Sequence, residues 1–275
     1  MIMDENKEKL QIDIDNILST KKIKLPGFVV NYLKKITHQD EMNQFLAENH
    51  TKYGIDFSDA VIDFFKVNIH VENIERIPAT GRYILVSNHP LGGLDGLALI
   101  STVGKIRKDI FFPVNDLLLY LKNMSNIFIP LNKHGRNSQT GIGQLNDAFE
   151  SDAMVLYFPA GLCSRKQKNG ICDLEWKKTV ITKAKQFKRD IIPVHFEGRN
   201  SNFFYNLANL RKFFGIKANI EMLYLSDEMY KQRNKSFKIT VGNPISYETF
   251  TKEKKDIEWS AWLKDQVYAL NNNNK

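Results

Sequence analysis

Apolar positions along the first 66 residues recur with a helical period. Ile14, Ile17 and Leu18 share one face, and after the Pro26-Gly27 break Phe28, Val29, Tyr32, Leu33 and Ile36 share another. Two further helices are expected over 41–49 and 58–66, the second opened by Ser58 as an N-cap. From residue 67 the texture changes to short β-rich runs separated by helical stretches. Strands are expected over 67–74, 83–87, 111–114, 127–129, 154–158, 191–196, 219–225 and 237–241. Helices are expected over 94–103, 140–150, 174–188 and 202–214. A last one carries Trp259, Trp262, Leu263, Val267 and Leu270 on one face, before a polar NNNNK tail. The alternation predicts an α/β fold with a mixed, largely parallel sheet flanked by helices. It divides the chain into an N-terminal helical extension (1–66) and an α/β domain (67–275), with any boundary near 66–70.

Charge narrows the setting. The 275 residues carry 39 Lys+Arg against 31 Asp+Glu, a formal net charge of +8 that favours anionic partners. No stretch free of charged residues exceeds twelve, whereas a spanning helix needs about 20 mostly apolar residues, so no bilayer crossing is expected. The opening MIMDENKEKLQIDID lacks the basic-then-apolar order of a secretory signal, and the expected location is the cytoplasm. Cys163 and Cys172, nine residues apart, fit neither a disulfide framework nor a metal motif and are read as reduced thiols.

Several chemistries are excluded by pattern. There is no GxSxG elbow and no phosphate loop. Gly141-Ile142-Gly143 has no strand leading into it and lacks the third glycine of a dinucleotide fingerprint. His195-Phe196-Glu197 lacks the PCxxC partner of a zinc deaminase, and nucleic-acid binding would rest on charge alone. His195 is read as a satisfied structural histidine, with Glu197 and Arg199 pairing locally.

The informative segment runs from Tyr83 to Gly96. An apolar strand ends in Asn88-His89, Pro90 holds His89 extended, Gly92 and Gly93 permit a sharp turn, and Asp95 stands at the entry to a helix. An imidazole at the C-terminal edge of a sheet, with a carboxylate returning to it, suits general-base catalysis. The carboxylate fixes the tautomer while the other ring nitrogen takes a proton from an alcohol. No nucleophilic serine or cysteine stands in a recognised context beside it, so direct attack of a substrate hydroxyl on an activated acyl group is the simplest chemistry. The bland alternative is that Asp95 only caps its helix.

Asn88-His89 followed by Asp95 resembles the NHxxxxD motif of the glycerolipid acyltransferase family, with five residues between His and Asp where the family usually has four. The form NHPLGGLDG looks like a divergent, hemolysin-like branch that includes lyso-ornithine and lyso-glycine lipid O-acyltransferases. Further blocks follow in family order: Ile127–Asn132, then Phe158-Pro159-Ala160-Gly161 in place of FPEG, then Ile191–Val194. The FPEGTR glutamate is replaced by Ala160, and its threonine and arginine by Leu162 and Cys163.

The resemblance implies His89 and Asp95 as catalytic residues. Asn88 is expected to bind substrate beside them; the second block's arginine is missing as well, and Asn132, Lys133 and Arg136 stand nearby as substitutes, with Arg165 or Arg136 expected to hold an acceptor carboxylate and Gly161 to admit backbone amides to a developing oxyanion. The resemblance implies a fatty acyl donor on acyl carrier protein or coenzyme A, no metal or other cofactor, no nucleic acid, and a lyso-lipid acceptor of the N-acylated amino-acid type. A conventional lysophosphatidate acyltransferase, or a catalytically silent lipid-binding protein on the same scaffold, are the alternatives. Contact with the inner face of a membrane is expected through the basic, amphipathic 21–36 segment or the aromatic 201–214 segment.

Overall fold

A run without a charged residue between Arg82 and Asp95 makes both the middle strand of the sheet and the turn that leaves it. The computed structural model describes residues 11–20, 22–115, 118–119, 121–131, 138–168 and 170–271, with 138–142 described by backbone alone. Strand β1 spans Asn68–Glu72, β2 Tyr83–Ser87, β3 Ile110–Val114, β4 Phe128–Pro130, β5 Met154–Tyr157, β6 Arg165–Gln167, β7 Gly170–Cys172, β8 Asp190–Phe196 and β9 Ser236–Val241. Among the described residues, seven of these form one sheet in the order β1-β9-β8-β2-β5-β3-β4, and β6-β7 is a separate hairpin. Neighbours in the large sheet run parallel except β8 and β9, which are antiparallel. The α/β class and the largely parallel sheet agree with the expectation.

Alternation along the strands feeds two cores. Ile84, Val86, Val155, Tyr157 and Ile191 point to one face, where they meet helix α7 (Thr179–Phe187) and helix α10 (Asp256–Ala269) through Val180, Ala184, Trp259 and Leu263. Leu85, Leu156, Ile192 and Val194 point to the other, beneath helix α5 (Leu94–Gly104), all eleven residues of which are buried. A central strand apolar on both faces is what a parallel sheet covered on two sides requires.

Among the described residues, four helices precede the sheet: α1 (Ile14–Thr20), α2 (Gly27–Ile36), α3 (Gln39–Glu48) and α4 (Gly54–Phe64). Phe45 and Leu46 of α3 and Phe57, Ala60 and Val61 of α4 belong to the same hydrophobic cluster as α5 and the sheet. Ser58 is not a cap: α4 starts four residues earlier, and the buried Ser58 hydroxyl donates back to the Gly54 carbonyl at 2.9 Å. Helix α6 is Ser138–Glu150, and α8 is Asn202–Phe213, capped by the Ser201 hydroxyl, which accepts from the Phe204 amide.

The strand expected over 219–225 does not form. Ile220–Tyr224 is a 3₁₀ turn running into helix α9 (Leu225–Tyr230). Glu221 and Glu228 are both fully buried, with Leu225 between them packed on Cys163, Phe204 and Tyr205. That spacing of i, i+4, i+7 is a helical stripe, and its two acids obscure the apolar period. The β6-β7 hairpin was not anticipated, being short, lysine-rich and turned at Gly170 with φ +114°.

Candidate active site

The site forms where β2 ends. Asn88 is buried, and its carboxamide makes a two-way rung with β8: Nδ2 donates to the Phe196 carbonyl at 2.9 Å, and Oδ1 accepts the Phe196 amide at 2.7 Å. Both functions of the side chain are therefore spent on the backbone. The expectation that Asn88 binds substrate gives way to a positioning role, fixing the chain one residue before His89.

The His89 imidazole leaves the sheet edge and stacks on Phe158, with ring centroids 4.1 Å apart and planes 19° from parallel. Its Nδ1 lies 2.9 Å from Asp95 Oδ2. The same carboxylate oxygen accepts the Leu91 amide at 2.8 Å and the Gly92 amide at 3.3 Å, while Oδ1 accepts the Gly96 amide at 2.9 Å. Asp95 thus gathers the turn around itself and presents one oxygen to the ring, rather than only capping α5. Gly92 is required here: its φ is +86°, and a Cβ would come within 2.9 Å of Leu225 and 3.2 Å of Cys163.

The electrostatics follow from burial and pairing. Burial works against the charge of Asp95, but the His89 imidazole and the loop amides outweigh it, holding the carboxyl below the usual carboxylate range. Burial likewise opposes a charged His89, and Asp95 prevails, holding the imidazole above the ordinary histidine value. The histidine side chain keeps 15% exposure, and Asp95 none. With Nδ1 taken as the donor to Asp95, Nε2 is the nitrogen left to accept a proton from a hydroxyl, and it has no hydrogen-bond partner among the described residues.

A second carboxylate, which the sequence reading missed, steadies the histidine from behind. Asp173 is fully buried and accepts the His89 backbone amide at 3.2 and 3.3 Å, the Ser164 hydroxyl at 2.6 Å and the Trp176 indole N–H at 2.8 Å. The His89 carbonyl accepts the Ser164 amide at 2.7 Å. Burial pushes the Asp173 carboxyl up, against those donors. From α10, the Tyr268 hydroxyl accepts the Asp173 amide at 2.7 Å, and Lys264 donates to the Asp173 carbonyl at 2.6 Å. The available signal was Asp173-x-x-Trp176, a buried acid paired with an indole donor three residues on, but nothing local ties it to His89.

Arg165 is not open to an acceptor. It is 2% exposed and donates to Glu221 at 2.9 Å and to the Cys163 carbonyl at 2.6 Å, with the Phe204 ring 5.0 Å from its guanidinium. Arg211 donates to the other oxygen of Glu221 at 2.8 Å. The carboxylate Arg165 holds is the chain's own, and the triad clamps β6, α8 and the 220–224 turn together. Gly161 adopts φ +66°, and its own amide donates to the Phe158 carbonyl at 3.1 Å, so that amide is used within the turn and is not offered to an oxyanion. Asn132, Lys133 and Arg136, with His134, lie outside the described residues.

His195 is 5% exposed and lies edge-on to Tyr268, but its Nδ1 has no partner among the described residues, so it is buried without being satisfied there. Arg199 bonds Asn202 at 2.6 Å rather than pairing with Glu197. Both cysteines are free, Cys163 buried with its thiol pushed up to about 11 by that burial, and Cys172 half-buried.

Known proteins share this arrangement of sequence. A lyso-glycine lipid O-acyltransferase of Bacteroides thetaiotaomicron is 50% identical over 264 residues, covering 94% of this chain and 97% of that protein. Another of the same description from Phocaeicola vulgatus is 48% identical over 264 residues, covering 94% and 95%. The crystal structure of the 1-acyl-sn-glycerophosphate (LPA) acyltransferase PlsC from Thermotoga maritima aligns with a TM-score of 0.48 and 15% identity, covering 97% of this chain and 91% of that one. The acyltransferase family model matches residues 16–274, nearly the whole length, and the chain belongs to that acyltransferase family.

Proposed function

We propose that this acyltransferase moves a fatty acyl group from a thioester of acyl carrier protein or coenzyme A to the hydroxyl of a lyso-glycine lipid, the acceptor named for its two relatives. The observation that carries the mechanism is the 2.9 Å contact between His89 Nδ1 and a fully buried Asp95. Asp95 holds the ring so that Nε2 faces the acceptor. Nε2 removes the hydroxyl proton as the oxygen attacks the thioester carbonyl. The tetrahedral intermediate then collapses, the C–S bond breaks, and the imidazolium returns its proton to the departing thiolate. Asp95 remains ionised throughout and stabilises the transient imidazolium. With Arg165 committed to Glu221, the carboxylate of the acceptor falls to Asn132, Lys133 and Arg136.

Meeting a lipid acceptor calls for a surface that tolerates lipid. Tyr32 of α2 bonds Tyr224 at 3.0 Å, and Tyr224 packs edge-on against Phe203 of α8 at 4.9 Å, joining both expected segments into one surface. Phe28, Leu210, Phe213 and Phe214 are exposed around it, Phe213 by 83%, with Lys24, Lys35 and Lys212 also exposed nearby in sequence. Among the described residues no helix is long and apolar enough to cross a membrane. Peripheral contact with an anionic, cytoplasmic leaflet is the reading this surface supports, each basic residue near it contributing about 1 kcal/mol.

The experiment supplies purified protein with acyl donor and a panel of lyso-lipids and follows products by mass spectrometry. Conversion of lyso-glycine lipid at least a hundredfold faster than lysophosphatidate is expected. Selective use of lysophosphatidate would overturn the acceptor assignment.

A further inference from the structure

A groove of about 450 Å³ opens at the same sheet edge as His89, and nothing in the reaction described so far uses it. It lies over the end of β8 and the starts of β9 and β1. Phe196 pairs with Ile239 in antiparallel β9, whose first residues 236–238 pair in turn with 68–70 of β1, so the starts of β9 and β1 lie at the edge where β8 ends. His70, Arg199, Lys235 and Lys238 line it, with Glu197 as the lining carboxylate. Arg199 and Lys235 are exposed, and among the described residues their side-chain hydrogen-bond partners are neutral amides, Asn202 at 2.6 Å and Gln232 at 3.0 Å. Those contacts orient the two cations without neutralising them. Lys238 lies 3.7 Å from Glu72.

The floor of the groove touches the catalytic turn. Gly198 packs on Leu91, with the position of a Cβ only 3.3 Å from that side chain, and Asn200 donates to the Pro90 and Leu91 carbonyls at 3.4 Å. Strands β2, β8 and β9 are consecutive neighbours, so the middle of the groove is two strand spacings, about 10 Å, from the end of β2. Arg199 and Lys235 face water, and the large apolar lining residue, Phe237, is buried. Such a surface suits a water-borne anion rather than the acyl chains of a lipid acceptor.

We propose that this groove receives the phosphate of the phosphopantetheine arm that carries the donor thioester, Arg199 and Lys235 providing the positive charge and the arm reaching past Leu91 to His89. The inference rests on the acyl-transfer reading above. It is tested by measuring binding of holo acyl carrier protein and of coenzyme A, separately, to wild type, to R199E/K235E and to His89→Ala. Wild type and His89→Ala are expected to bind one of the two carriers alike, with affinity falling as salt rises. The double charge reversal, at exposed positions that leave the fold alone, is expected to weaken that binding at least tenfold and to raise the donor KM in step, while the acceptor KM keeps its value. The arm that responds identifies the carrier. Unchanged binding in the double variant, no binding of either carrier by wild type, or a rise in acceptor KM instead would overturn the assignment. Carrier binding that depends on these cations, in a wild-type protein that transfers no acyl group, would refute the reaction and leave the groove standing.

Discussion

Substituting Asp95→Asn tests the catalytic pair with the least change of shape. In the structure one charged oxygen serves His89 Nδ1 at 2.9 Å and two loop amides, in a site with no solvent exposure on the acid. An imidazolium and a carboxylate whose charges are centred roughly 4 Å apart attract by about 4 kcal/mol at an effective dielectric of about 20. That attraction exists only once the ring has taken the proton, so its loss falls on the transition state and corresponds to about a thousandfold in rate. The pH profile carries an independent signature. A general base works in its neutral form, so kcat/KM rises with pH through the pKa of His89, which Asp95 holds above the ordinary value against the opposing effect of burial. In the amide variant the burial remains and the attraction is gone, so the acid limb moves to lower pH while the plateau drops. Initial rates from pH 5 to 9, alongside a thermal melt to confirm folding, measure both. A loss below tenfold, or a large loss with the acid limb unmoved, would refute general-base catalysis by this pair.

Three further outcomes are expected. Asp173→Asn places an amide where the His89 N–H, the Ser164 hydroxyl and the Trp176 N–H all donate, so kcat should fall about tenfold and stability by roughly 1–3 kcal/mol. Because the Asp173 charge also favours the imidazolium, the acid limb should shift down, by less than in Asp95→Asn. Glu221→Gln strands two buried guanidinium groups and should cost roughly 3–5 kcal/mol, lowering Tm by about 10 °C; a drop under 3 °C would show that the triad is not a clamp. His195 is held neutral by burial, its pKa lowered to about 4, so the unfolded chain binds the extra proton between pH 6.5 and 4. Stability should therefore fall as pH falls through that window, by about 3 kcal/mol at its lower end, and His195→Phe should flatten this part of the urea-denaturation profile.

What was legible in the sequence divides along a physical line. Strand β2 and helix α5 were placed to within a residue because the chain between Arg82 and Asp95 is uncharged and changes from strand to turn to helix at glycines. The juxtaposition of His89 and Asp95 was legible because only one turn separates them. Failures occur where a side chain's partner is far along the chain. Arg165 looked like a free cation because Glu221, 56 residues later, is invisible to local pattern. Asp173 is 84 residues from the amide it supports. The 219–225 segment reads as a strand because Glu221 within it and Glu228 just beyond it break the helical period, and these buried acids are tolerated only through tertiary partners: Arg165 and Arg211 for Glu221, and the Ser201 amide and hydroxyl with Lys231 for Glu228.

The departures from FPEGTR then acquire a structural meaning. Ala160 is buried among Trp176 and Tyr157, in the core under the sheet, where a glutamate would have to be paired or neutralised. Cys163, at the family's arginine position, is fully buried, and its Cβ is 3.2 Å from where a side chain on Gly92 would begin. A long cation there would have to displace the turn that Asp95 organises. The positive charge of this block is instead carried two residues on by Arg165, and it is neutralised internally by Glu221. Segment 160–165 therefore works as a brace: Cys163 packs under Gly92, Ser164 bonds the His89 carbonyl, and Arg165 anchors both to α8 and the 220–224 turn. A block spent on bracing the base cannot also supply the charge that reads the acceptor. Substitutions in this segment are therefore expected to disturb the His89–Asp95 pair, and the acceptor reading proposed above is tested on residues 132–136 instead.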